Sequence, residues 1–207
     1  MSELAQPLPF ERPAARGVAR PLALRLSLTW ETAAYAALFA AAFGFRFWDL
    51  GARALHHDES LHGYYSWVLY TSGSYAHNPL MHGPFQFFGT ALVFFLAGGA
   101  SDYTVRILPA LFGTALVALP LLFRGHLGRL GALFAAALIA FSPTLLYFSR
   151  FARNDIYIAV FTLGIIVCLW RYAAPAVGEA LGRNRYLYIA AALLGLSFAA
   201  KENTSQS

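Results

Sequence analysis

The densest chemistry in the chain lies at His56-His57-Asp58-Glu59-Ser60-Leu61-His62, where two carboxylates stand among three imidazoles. If Asp58 starts a helix, it caps the first turn, and Glu59 suits the positive end of the helix dipole. The same pair can also do chemistry. The segment follows an apolar run, and a carboxylate beside low-dielectric surroundings can hold a proton more tightly and serve as a general base. His56, His57, His62, His77 and His82 add imidazoles that, with Glu59, are candidate ligands for a divalent metal ion, His57 and Glu59 foremost. No two of these histidines have the i, i+4 spacing of a metalloprotease helix.

A second cluster is Ser149-Arg150-Phe151-Ala152-Arg153-Asn154-Asp155, squeezed between two apolar runs. Its arginines can pin helices at the headgroup level, and their planar forks also suit bidentate contact with phosphate. Asp155 opens the next run, where it caps a helix and can pair with Arg153. A third cluster, Lys201-Glu202-Asn203, closes the last run; Arg106 lies near the start of another. Ionisable groups at membrane boundaries are functional candidates chiefly where they converge.

The elements that must position these groups are membrane helices. Of 207 residues, 58% are hydrophobic and 12% charged, and the mean hydropathy is +0.54. Soluble domains carry about 25% charged residues. The net charge of +5 does not indicate nucleic acid, because fourteen of the fifteen basic residues are arginines scattered singly around apolar runs. The single cysteine, Cys168, excludes a disulfide framework or a cysteine metal site and reads as a packing residue.

Five apolar segments are expected to span: Thr32 to Trp48, Val105 to Phe123, Leu130 to Phe148, Ile156 to Tyr172 and Tyr186 to Ala200. Arg46, at the end of the first, can snorkel towards water. Pro84 to Ala97 is shorter, the length of an interfacial or re-entrant helix. If it stays on the outer surface, Arg12, Arg16, Arg20, Arg25, Arg124, Arg129, Arg171, Arg183 and Arg185 lie inside. Arg46, Arg53, Arg106, Arg150, Arg153 and Lys201 then lie outside, and the inner excess obeys the positive-inside rule. The alternative, in which the run crosses, brings the count close to even. In the favoured topology the three polar clusters share the outer face.

The fold class expected is therefore an all-α membrane protein of about five transmembrane helices plus a juxtamembrane or re-entrant helix. Residues 1–28 form a basic cytoplasmic tail with no clear signal-peptide cleavage site. Residues 29–204 form the membrane part, with a first outer loop at 50–83 and the juxtamembrane helix at 84–97. Residues 205–207 are a tail.

The stretches HHDES, HGPF, SPTLLYFSRFARND and KEN, with Arg106 between the second and third, resemble the polytopic GT-C glycosyltransferases. That superfamily includes the protein O-mannosyltransferases and aminoarabinose transferases, and the nearest likeness is to a prokaryotic branch described as flippase-activity-associated. The resemblance covers about Phe45 to Asn203. It implies transfer of a sugar from a polyprenyl-phosphate donor to a protein or glycan acceptor on the extracytoplasmic face of the cell membrane. By that analogy Asp58 is the general base and Glu59 positions acceptor or metal. Arg153, Lys201 and Arg150 stabilise the departing phosphate, and His57, His82, Arg106, Asp155 and Glu202 complete the substrate and lipid-phosphate site. GT-C members have many more spans, so the chain is expected to be the N-terminal part of such a fold, with 205–207 a truncated tail.

A second class of function stays open: a non-catalytic partner in moving polyprenyl-linked glycans across the membrane. A small-solute transporter fits less well, since its ionisable groups belong near the bilayer midplane on broken helices, whereas these lie at segment ends.

Overall fold

The computed structural model of the protein describes residues 29–76, 82–173 and 184–201. Glu202 and His77 lie outside the described residues, as do the tails at 1–28 and 205–207. Every regular element among the described residues is helical.

Helix α1, Trp30–Phe47, starts where the Thr29 side chain accepts the Thr32 N–H. Helix α2, His57–Ser72, lies inside the segment read as the first outer loop and ends at Gly73, whose φ of 68° suits a residue without Cβ. Its cap corrects the expectation for Asp58. His56 is the N-cap residue: its ring accepts the Asp58 N–H at 3.4 Å, and the Glu59 carboxylate accepts the His56 N–H at 3.0 Å. Helix α3, Phe85–Ala97, follows Pro84, and helix α4, Asp102–Ala118, begins with a reciprocal Ser101–Thr104 cap.

A 3₁₀ turn, Leu119–Phe123, leads into α5, Arg124–Phe141. Gly128 breaks α5 with φ 70° and ψ 174°, so the unbroken part starts close to the expected Leu130. The expected span to Phe148 does not continue as one helix. Ser142 is pushed to ψ 120° by the following proline, and α6, Pro143–Ser149, starts anew from the Ser142 side chain. Helices α7, Asp155–Ala173, and α8, Asn184–Ala200, complete the order.

Two apolar helical stretches, Asp102–Phe141 and Asp155–Ala173, are long and apolar enough to cross a bilayer; Phe85–Ala97 is a shorter apolar helix. The first stretch is not one rod. Its 3₁₀ turn and the break at Gly128 fold α5 back against α4. Large apolar side chains cover the outside, among them Phe95, Leu130, Phe134 and Phe198, each more than half exposed. That surface suits lipid rather than water.

Helix α4 is the hub, packed on α1, α3, α5, α6 and α7. Phe112 of α4 meets Tyr157 and Phe161 of α7 edge-on at 5.0 and 5.7 Å, and Phe85 closes the cluster. Ala42, Val117, Ala136 and Ala140 let α1, α4 and α5 approach closely. Arg46 does not snorkel. It is fully buried and donates to the carbonyls of Ala42, Ala140 and Ile139 and to Ser149 Oγ, so it caps the end of α5 left open by the Ser142–Pro143 break. A Cβ on Gly113 would collide with Ser149 Oγ; the missing side chain makes room for this crossing.

Candidate functional site

The first turn of α2 carries Asp58 and Glu59 on different faces, and their environments diverge. Glu59 is fully buried and grips Arg106 of α4 through two parallel 2.8 Å hydrogen bonds, from Nε to Oε1 and from Nη2 to Oε2. The N–H groups of His56 and Ala152 donate to the same carboxylate, each at 3.0 Å. Burial pushes the Glu59 carboxyl up. The hydrogen bonds from Arg106, His56 and Ala152 outweigh that and hold it below the ordinary carboxylate range.

Arg106 spends its remaining donors on the carbonyls of Leu50, Arg53 and Ala54. The pair thus ties together the end of the α1 loop, α2, α4 and the Ser149–Asp155 segment. Glu59 has no oxygen left for a metal ion or an acceptor hydroxyl. His57 is exposed on the first turn of α2, and among the described residues no three His, Cys, Asp or Glu side chains gather to hold a metal ion. Among the described residues, His57 and Glu59 are therefore not gathered into a ligand set for a divalent cation.

Asp58 faces the other way, and its side chain is 39% exposed. Its Oδ2 lies 3.6 Å from Arg153 Nη1; Arg153 Nε lies 3.7 Å from Asp155 Oδ2; and Asp155 Oδ1 lies 3.4 Å from Lys201 Nζ. A base candidate on α2, two residues leading into α7 and the lysine after α8 form one half-exposed chain of alternating charge. Among the described residues Asp58 is the member with an oxygen outside any ion pair, whereas Asp155 is engaged on both sides.

His82 sits beside this chain. Burial, then the Lys201 and Arg153 cations, hold its imidazole below the ordinary value against the opposing pull of Asp155 and Asp58. Its backbone has φ 67°, a strained region for a residue with a Cβ. Gly83 follows because a Cβ there would run into the backbone carbonyl of Ala199. The turn before α3 is therefore pressed onto the end of α8, directly before Lys201. His82 and His62 rings lie parallel with centroids 6.3 Å apart, and His62 Nδ1 is 2.8 Å from the Asp58 carbonyl.

Of the residues singled out in the sequence, Asp58, His82, Arg153, Asp155 and Lys201 come together. Glu59 and Arg106 form the buried clamp behind them. Arg150 does not join the cluster: it donates to the carbonyls of Phe45 and Asp49 at the end of α1. One residue the sequence reading left without a role is Asn154. It is 3% exposed, and among the described residues neither atom of its side-chain amide has a hydrogen-bond partner. Its position between Arg153 and Asp155 was the only signal that could have flagged it.

The all-helical architecture, apolar exterior and charged cluster at helix ends define a membrane protein with a polar site at one end of its bundle. Residues 81–205 match the family described as dolichyl-phosphate-mannose-protein mannosyltransferase, and the chain belongs to that family, whose members are glycosyltransferases of the GT-C type. No curated protein and no solved structure matches the chain. His82, Arg106, Arg153, Asp155 and Lys201 fall within the matched residues, while Asp58 and Glu59 precede them.

Proposed function

We propose that this protein transfers a glycosyl group from a polyprenyl-phosphate-linked donor to a protein or glycan acceptor at the extracytoplasmic face. The observation that carries the reading is the chain Asp58–Arg153–Asp155–Lys201, which sets a carboxylate with an uncommitted oxygen against two cations. Asp58 takes the proton from the acceptor hydroxyl as its oxygen forms the bond to the anomeric carbon. The bond between that carbon and the donor phosphate oxygen breaks at the same time, and the electron pair leaves with the phosphate. Arg153 and Lys201 stabilise the charge that grows there. Asp155 holds both cations in place, and the Glu59–Arg106 clamp fixes the first turn of α2 so that Asp58 faces the cluster. No step uses a metal ion.

In the same reading α1, α4, α5, α7 and α8 are the five spans, with the cytoplasmic tail at 1–28, the outer segment at 50–83 and α3 as the juxtamembrane helix. Family membership supports the glycosyl-transfer chemistry. The test is the isosteric Asp58→Asn variant, assayed in proteoliposomes for transfer from a polyprenyl-phosphate sugar. General-base loss should slow transfer by about a hundredfold or more, with donor binding retained. Unchanged transfer would remove Asp58 from the chemistry. Absence of transfer by the parent protein with every donor tried would favour the partner role in glycan translocation.

A further inference from the structure

A second cationic hollow lies beside the site, on the far side of the Glu59–Arg106 clamp. It encloses about 380 Å³ and is lined by Asp49, Leu50, Arg53, Pro143, Tyr147 and Arg150, with Arg106 at its back. It shares no residue with the Asp58–Lys201 chain. Arg150 also forms the wall of an adjoining groove of about 460 Å³ along α1, whose other residues are Ala41, Gly44, Phe45 and Trp48.

The charges in the hollow are only partly spent. Arg106 is neutralised by Glu59. Arg150 is anchored by two backbone carbonyls, and among the described residues no carboxylate lies within ion-pair distance of it. Arg53 is held over the faces of Tyr147 and Phe151 at 5.6 and 5.8 Å and lies 3.8 Å from Glu59 Oε2, a carboxylate already matched by Arg106, and its side chain is 56% exposed. Set against Asp49, these two guanidinium groups leave about one positive charge open to a ligand. Trp48, at the mouth of the groove and 79% exposed, is the residue type that settles at the headgroup level of a bilayer.

A planar, singly compensated cation pair leading into an apolar groove suits one kind of molecule, an amphiphile carrying a phosphodiester. We propose that this face holds an anionic phospholipid of the surrounding bilayer, with its phosphate between Arg53 and Arg150 and one acyl chain along Ala41–Trp48. A polyprenyl-linked donor shares the phosphodiester chemistry. The lining of the hollow, however, includes none of Asp58, Arg153 or Lys201.

The experiment measures lipid retained by the purified full chain after equilibration in mixed phosphatidylglycerol and phosphatidylcholine, by mass spectrometry of the extracted lipid. The parent protein should retain phosphatidylglycerol preferentially, and Arg53→Gln with Arg150→Gln should reduce that preference by roughly tenfold. Gly44→Phe should reduce retention by filling the groove, since apart from the adjacent backbone of its own helix nothing lies within 4 Å of a Cβ there. Should the double variant fail to fold, Arg53→Gln alone carries the charge test, because its side chain is over half exposed. Equal retention of the two lipids, or retention unchanged by both Arg53→Gln and Gly44→Phe, would overturn the proposal. Displacement of phosphatidylglycerol by a polyprenyl-phosphate sugar would instead make the hollow a donor site, and displacement by inorganic phosphate at equal concentration a simple anion site; either overturns it too. The readout is lipid retention, so it is independent of whether Asp58 acts as a base.

Discussion

The Asp58 carboxylate and the Arg153 guanidinium meet at 3.6 Å, and the same guanidinium reaches Asp155 at 3.7 Å from its Nε. These contacts are long for hydrogen bonds and half-exposed, so they hold charge in position without locking the groups together. On the proposed function, a donor phosphate entering between Arg153 and Lys201 would take over donors that Asp58 and Asp155 hold only loosely.

Replacing Arg153 with Gln should therefore affect chemistry more than folding. The exposed pairs it makes are worth under about 1 kcal/mol each. Loss of a donor aimed at developing phosphate charge costs on the order of a hundredfold in rate. Arg153→Lys should recover part of the rate. Transfer kinetics and thermal melting in the same detergent separate the two effects, and a large drop in melting temperature would argue for a structural role.

The Glu59–Arg106 clamp should behave in the opposite way. Glu59→Gln leaves a buried guanidinium without its counter-charge and should destabilise the protein by about 3–5 kcal/mol. Arg106→Lys should also destabilise, because an ammonium cannot reproduce the two parallel hydrogen bonds or serve Leu50, Arg53 and Ala54 at once. Melting of both variants checks this; a stable Glu59→Gln protein that lacks only activity would restore Glu59 to the chemistry.

His82 makes a pH-dependent contribution. Its imidazole sits below the ordinary value, so the fold favours the neutral ring. That contribution is full above the unfolded value of about 6.5 and is lost as pH falls through the lower folded one. Stability should decline on acidification below about pH 6.5. His82→Asn, which tolerates the left-handed backbone, should flatten this part of the curve. Melting temperature against pH for the two proteins is the measurement, and identical slopes would dismiss the effect.

Gly83→Ala should push the His82 turn away from α8, because the new methyl group meets the Ala199 carbonyl, a backbone atom with little freedom to yield. A loss of a few kcal/mol is expected, in the range of core overpacking. Gly44→Ala, at an open helical position, should be neutral or slightly stabilising. Paired melting curves test the contrast.

Much of the fold was legible in the sequence because apolar runs map directly onto helices. The segments ending at Trp48, Tyr172 and Ala200 and the short run after Pro84 correspond closely to α1, α7, α8 and α3. The run from Leu130 to Phe148 misled, since its hydropathy passes smoothly over Ser142–Pro143, where backbone sterics stop the helix. Arg46 misled for a related reason. A charge at a helix end reads as snorkelling, and only the broken end of α5 supplies buried carbonyls for it.

Residue types and order alone established an all-helical, membrane-suited chain with three polar clusters at helix ends, because those properties are local. Which cluster meets which is not local. The sequence treats Asp58 and Glu59 as equivalent neighbours, yet the 100° turn between successive helical positions sends one into the protein against Arg106 and the other towards Arg153. Likewise Arg150 and Arg153 share one motif, and packing turns one onto the end of α1 and the other into the charged chain. That division between clamp and candidate base, and between two cationic sites, was decided only when the helices packed.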